Sequence, residues 1–171
     1  MEISIKSISL FSAVLLTGLS AGFFYAWSVS VIPGTIKVAD TIYLETMQSI
    51  NRAILNPAFF LIFLGSLILL VTNTIQQYHA GLTFWLMLAA TLIYLVGTIG
   101  VTGLGNVPLN DALDALHLND LSDDKLAQFR QYYELKWNKL HTIRTVFAVI
   151  SFLLSLLAVF THSKTIELLK P

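Results

Sequence analysis

The chain has 171 residues, of which 56% are hydrophobic and only 12% charged, with ten Lys and Arg balanced by ten Asp and Glu; its mean hydropathy is +0.74. Roughly 25% of the residues of a soluble domain are charged, so half of the usual solubilising charge is missing, a water-soluble globule is excluded, and zero net charge gives no hint of a nucleic-acid partner. There is no cysteine, which removes disulfides, thiolate catalysis, quinone-linked thiol exchange and iron–sulfur clusters.

The length suits a single domain, residues 1–171. A bilayer span takes about 20 apolar residues. Lys6 and Lys37 bracket the first uncharged run, Ser7 to Ile36, which predicts a span at about 8–32. Glu2 offsets Lys6, and the apolar stretch outruns the roughly 7–15 residues of a signal-peptide core; the segment is expected to be a retained helix. The following connection, 33–52, is not a plain linker. In "DTIYLETMQSINRAILNP", Met47, Ile50, Ala53 and Ile54 fall at helical spacing, and Asn56–Pro57 marks a kink or helix boundary.

From Ala53 to Asn110 there is no formally charged residue. That run holds two spans, at about 55–73 and 82–104, joined by "NTIQQYHAG", whose Gly81 suits a tight helix-to-helix turn. Gly97, Thr98, Gly100 and Gly103 are expected to let the third span approach a neighbour closely. The connection 105–140 contains "LSDDKLAQFRQYYELKW". Ser122 is placed to cap a helix, Asp123 and Asp124 sit in its first turn, and Leu126, Phe129 and Tyr133 give it an apolar face. This helix is expected to run on into a fourth span, about 143–161.

The fold class read from these elements is all-α: an integral membrane antiparallel four-helix bundle with additional helical segments in the two longer loops. Both termini and the Asn73–Gly81 turn lie on one side, and the two long connections share the other. Lys37, Arg52, Lys125, Arg130, Lys136 and Lys139 load the loop side with cations, which leans it toward the cytoplasm.

At about 100° per residue, Arg130, Tyr133, Glu134, Trp137, His141 and Arg144 form one stripe. Trp137 and Lys136 are also what an ordinary membrane interface attracts. Arg144 lies one turn inside the boundary, where a charge is costly and usually faces a bundle interior with a partner. At similar depth the chain offers Gln48, Asn51, Arg52, Asn56, Asn106, Asn110 and Asp111, and the first span brings Phe24, Trp27 and Val31 on one face. Amides, a histidine, arginines and aromatic planes converging at one end of a bundle are the pattern of a small-molecule pocket; helix caps and interhelical hydrogen bonds use the same amides. No span carries two histidines at ligand spacing and no Glu-x-x-His pair exists, so a di-iron bundle site lacks its ligands and no metal is assigned. A transporter would show repeats and a helix broken near mid-membrane, and neither is evident.

Four stretches, "GFFYAWSVSVIPG" (22–34), "MQSINRAILNP" (47–57), "NVPLNDAL" (106–113) and "WNKLHTIR" (137–144), together resemble the anthrone-oxygenase-like family, small four-span membrane proteins known in bacteria as a domain of unknown function. The resemblance covers nearly the whole chain in order. It implies a cofactor-independent oxygenase acting on a lipophilic phenolic or quinone-like compound, in a multi-pass protein of the bacterial inner membrane. For that chemistry His141 is the expected base and Arg144, with Asn138 or Asn106, the oxyanion holder. Trp27 and Trp137 would flank a flat substrate, and Gln48, Asn51 and Asn110 would orient it. The expected partners are the bilayer and a hydrophobic small molecule, with a homo-oligomer left open. The rival expectation is a non-catalytic protein that binds a lipid or hydrophobic ligand or supports a partner; a site plugged by Tyr133 and Arg130, with Arg144 paired to Glu134, would favour it.

Overall fold

The computed structural model describes residues 5–168, with side chains to residue 162, and is helical with no strand among them. Helix α1 covers Ile5–Thr35, α2 Asp40–Ala53, α3 Pro57–Gln76, α4 Leu82–Asp114 and α5 Asp123–Leu168. Of these, α1, α3, α4 and α5 are each long and apolar enough to cross a membrane. The helices overrun the expected spans mainly because the loop-side ends of α4 and α5 continue as helix beyond the apolar run. The second half of the connection 105–140 is the first five turns of α5, as its apolar face predicts.

The boundaries follow local chemistry. Asn56 caps α3, its side-chain oxygen accepting from the Phe59 amide at 3.0 Å, with Pro57 in the first turn. Gly81 ends the α3–α4 turn with φ +54°, a conformation that favours glycine. Ser122 precedes α5, and its carbonyl accepts the Leu126 amide at 3.0 Å.

Helix α1 packs against α3 and α5, and α4 packs against α3 and α5, leaving α1 and α4 diagonal. Each span packs against the spans before and after it in the chain, the arrangement of a simple antiparallel bundle. Leu10, Phe24, Phe63, Leu70, Met87, Tyr94, Ala148 and Ala158 fill its interior. Leu61, Ile68, Val96 and Leu157 face outward and exposed, as lipid contact requires. Polar cross-links tie the helices together inside the bundle: Ser20 Oγ meets Tyr94 OH at 2.7 Å, and that hydroxyl donates to the Phe63 carbonyl at 3.0 Å.

Of the three glycines expected in that contact, Gly97 alone meets a neighbouring helix closely, with the base of the Phe147 side chain pressed against it. Thr98 Oγ1 donates to the Arg144 carbonyl at 3.4 Å. Gly103 faces open space, and near Gly100 stands only the Leu95 carbonyl of its own helix. The expectation of a four-residue contact is corrected: a three-residue step drifts by about 60° around a helix, so positions 97, 100 and 103 cannot share one narrow seam.

A second core lies on the loop side, where Tyr43, Leu44 and Met47 of α2 meet Leu109, Leu113, Leu118, Leu126, Tyr133 and Trp137. It explains why both long connections are ordered. Arg130 fastens this layer. Its guanidinium donates to the carbonyls of Thr35 at 3.0 Å, Ile36 at 3.4 Å and Val38, and to Asp40 and Glu134, each at 2.9 Å. One buried side chain thus satisfies the open carbonyl end of α1 and holds the start of α2.

Candidate functional site

Between the loop-side ends of α1, α2, α4 and α5 lies a cleft of about 200 Å³. Apolar side chains dominate it: Phe23, Phe24 and Trp27 from α1, Ile50 from α2, Ile54, Leu55 and Phe59 around the start of α3, and Val107 from α4. Its polar groups are few. Asn51, Arg52, Thr102, Asn110, Asp111, Asp114, His141 and Arg144 reach it, with Trp137 on one wall. A mostly apolar concavity with a few convergent polar groups is the usual form of a small-molecule site.

The helices around the cleft are locally widened into π turns at Trp27–Val31 and Thr102–Asn106. Such turns are frequent at functional sites, since the extra residue re-aims the side chains beside it. Here the first π turn begins at Trp27 and the second at Thr102, and both residues face the cleft.

Helical phase along α5 delivers Arg130, Tyr133, Trp137, His141 and Arg144 to the interior, all buried. His141 is fully buried and lies parallel to Trp137, with ring centroids 5.0 Å apart and an interplanar angle of 7°. Trp27 stands 5.7 Å from Trp137 and 6.4 Å from His141. Arg144 places its guanidinium 4.7 Å from the Phe24 ring centroid and 5.0 Å from that of Trp137, within cation–π range of both.

The hydrogen bonds define the protonation pattern of the pair. Arg144 Nη2 and Nε lie 3.0 and 3.2 Å from His141 Nδ1. A guanidinium only donates, so Nδ1 carries a lone pair and the imidazole proton sits on Nε2. The Nε2–H then faces the Phe24 carbonyl at 3.1 Å and Ser28 Oγ at 3.0 Å. The resting ring is therefore neutral, and its basic nitrogen is turned to Arg144.

Arg144 itself is 8% exposed. Its other contact is a long one to Thr102 Oγ1, at 3.4 Å. Among the described residues it has no carboxylate partner, since the ion pairs there are Arg52–Asp114, Arg130–Asp40 and Arg130–Glu134. Glu134 is thus engaged by Arg130, not by Arg144. A guanidinium held by a neutral imidazole and two aromatic faces, with donors to spare, is set up to receive an anionic oxygen.

The expected substrate-binding residues divide. Trp27, Asn51, Asn110 and Trp137 line the cleft, but Gln48, Asn106 and Asn138 do not. Gln48 donates to the carbonyls of Leu113 and Leu116, at 2.8 and 3.1 Å, and so fastens α2 to the end of α4. Asn106 donates to the Trp137 carbonyl at 3.3 Å and keeps a buried, unpartnered Oδ1. Asn138 sits off the buried stripe, one residue past Trp137, with its carbonyl accepting from Thr142. Residues that the sequence reading did not single out are Phe59, Thr102, Asp114 and Ser28. The first three reach the cleft because α3 and α4 bring them there, and no local pattern announces that. Ser28 adjoins Trp27 in a stretch already marked by its aromatics. Among the described residues no three His, Cys, Asp or Glu side chains gather as they would around a metal ion.

Compared with known families, the chain matches the one described as anthrone oxygenase over residues 46–154. That range takes in the second half of α2, all of α3 and α4 and most of α5, and with them every cleft residue outside α1. Neither the comparison with curated proteins nor that with solved structures found a match.

Proposed function

The chain belongs to the anthrone oxygenase family, and from that premise we propose that it is a cofactor-independent oxygenase of a lipophilic phenolic or quinone-like compound, working in a cell membrane, with the cleft as its active site. The observation that carries this reading is the buried Arg144 guanidinium, which has no carboxylate partner among the described residues and is held against His141 in an aromatic cleft.

For an anthrone the reaction is anthrone plus O₂ to anthraquinone plus water. A base removes one of the acidic ring-bridging C–H protons, and the electron pair moves to the carbonyl oxygen as an enolate. Arg144 stabilises that oxygen. When the substrate carbonyl oxygen, gathering charge as the proton leaves, takes over the guanidinium donors, the lone pair of His141 Nδ1 is released from Arg144 and becomes the proton acceptor. The Nε2–H stays on the Phe24 carbonyl and Ser28, so the imidazolium that forms keeps its orientation. The enolate carbon then gives its electrons to O₂, forming a C–O bond, and the hydroperoxide so made picks up a proton. Loss of the second C–H proton with cleavage of the O–O bond leaves the new carbonyl and releases water. Trp137 and Trp27 provide flat apolar surfaces for a polycyclic ring system, and the apolar lining keeps bulk water from the carbanion.

The test is oxygen consumption by the purified protein in detergent, offered an anthrone and several hydroquinones, with His141→Ala and Arg144→Ala beside the wild type. Uptake above the spontaneous rate that is lost in both variants supports the reading. Loss of one oxyanion donor typically costs about 10²–10³ in kcat, so Arg144→Ala is expected to fall by at least that much. No uptake from folded protein with any of these substrates would overturn catalysis and leave a ligand-binding role for the cleft.

A further inference from the structure

Behind the cleft wall runs a hydrogen-bonded chain whose direction is fixed at every link. Trp137 Nε1 lies 2.9 Å from Asn110 Oδ1. An indole nitrogen only donates, so the Asn110 atom facing it is the carbonyl oxygen and the amide cannot be turned the other way. Tyr133 OH lies 3.1 Å from the same oxygen and therefore donates to it as well. Having given its proton, the phenol accepts from its other neighbour, the Asn51 Nδ2 group at 3.1 Å. Tyr133 is fully buried and does not itself line the cleft, whereas Asn51 and Asn110 both do. Each amide is thus committed at one end and unpartnered at the other: Asn51 keeps its Oδ1, and Asn110 keeps its Nδ2.

We infer that Tyr133 and Trp137 are positioning residues that lock these two amides, so that the cleft presents a hydrogen-bond acceptor from Asn51 and a donor from Asn110, and that Asn51 thereby selects ligands carrying a free phenolic hydroxyl over their methyl ethers. The inference rests on the reading of the cleft as the substrate site. It adds a polarity to that site: a ligand hydroxyl donates to Asn51 Oδ1, and a ligand carbonyl or ether oxygen accepts from Asn110 Nδ2. An ether offers nothing to Asn51 and leaves that oxygen desolvated without a partner.

The experiment is equilibrium dialysis of the detergent-purified protein against 2-naphthol and 2-methoxynaphthalene, with binding read directly and no turnover required. Partition of each compound into micelles is common to all variants, so the quantity compared is the hydroxyl-to-ether affinity ratio relative to the wild type. Asn51→Leu is expected to lower that ratio about tenfold, as befits one lost neutral hydrogen bond together with its unpaired partner. Tyr133→Phe is expected to lower it too, because the freed Asn51 amide can then turn either end to the ligand. Asn51→Asp, which shows the cleft an acceptor in either orientation, is expected to keep the preference. An equal loss of both ligands in Tyr133→Phe, with the ratio unchanged, would show a merely structural tyrosine and overturn the inference while leaving the cleft as a site. Absence of binding of either compound to the wild type would overturn this inference and the phenol-site reading together.

Discussion

Replacing Gly97 with Ala tests the contact that sets the spacing of α4 and α5. A methyl group built there overlaps Cγ and Cδ1 of Phe147 and stands 2.5 Å from its Cβ. These atoms lie at the root of the side chain, so no rotation of a flexible tip relieves the overlap and the two helices must move apart. Overpacking of this kind costs about 1–3 kcal/mol, and clashes near the backbone fall at the top of that range. Alanine recovers about 1 kcal/mol over glycine in a helix, which leaves a net destabilisation of about 2 kcal/mol. Gly103 is the matched control: like Gly97, which sits in the π turn Tyr94–Gly100, it lies in a widened turn of α4, yet a methyl there meets nothing within 4 Å. Gly103→Ala should be neutral or slightly stabilising, so the two alanine variants should differ by about 2–3 kcal/mol. The assay is reversible unfolding in mixed micelles, followed by circular dichroism. Phe147→Ala in the Gly97→Ala background should recover much of the loss, a coupling expected only of residues in contact. Because the Thr98 hydroxyl meets the Arg144 carbonyl, oxygen uptake should fall with stability in Gly97→Ala. Equal stability of Gly97→Ala and Gly103→Ala would refute the argued packing.

Further consequences concern the loop-side layer. Arg130→Met strips partners from the carbonyls of Thr35, Ile36 and Val38 and from two carboxylates, and should destabilise by about 3 kcal/mol, the lower bound for breaking a buried pair because Asp40 and Glu134 are partly exposed; the same unfolding assay reads it. Arg52→Ala breaks a 2.6 Å bridge to Asp114 in which both side chains are about half exposed or more, so the loss should stay below about 1 kcal/mol and shrink further in high salt. Burial, reinforced by the charge of Glu134 and by Tyr133 and opposed by Arg130, pushes the Tyr43 phenol above its ordinary range. The unfolded chain therefore loses this proton first. Its contribution to stability should be complete below a pH of about 10 and decline as pH rises past that value. Tyr43→Phe should flatten that decline in a pH series of unfolding midpoints, and an unchanged slope would count against the assignment.

Much of the site could be read in advance because it depends on one helix. The stripe Arg130, Tyr133, Trp137, His141 and Arg144 needs only the rotation per residue and an unbroken α5, and all five are buried together. The amides were harder. Gln48, Asn51 and Asn110 look alike in sequence, each a polar group near the loop-side boundary. Gln48 is spent on two backbone carbonyls, whereas Asn51 and Asn110 face the cleft. That difference depends on how α2 settles against α4 and α5, which no local spacing encodes. Asn106 and Asn138 fell outside the cleft for a related reason, since a one-residue offset or a widened turn is enough to rotate a side chain onto a different neighbour.

What the sequence determined alone is set by the solvent. Charge-free runs matched to the thickness of a bilayer require helices, and successive spans that each cross it reverse direction, which makes the bundle antiparallel. The apolar faces in both long connections predicted further helical segments outside the spans. Tertiary structure decided the chemistry. Which nitrogen of His141 carries the proton, which end of Asn110 faces the cleft and whether Arg144 finds a carboxylate are settled by partners up to 117 residues away along the chain. Hydrogen-bond direction belongs to pairs of groups, and only packing brings the pairs together.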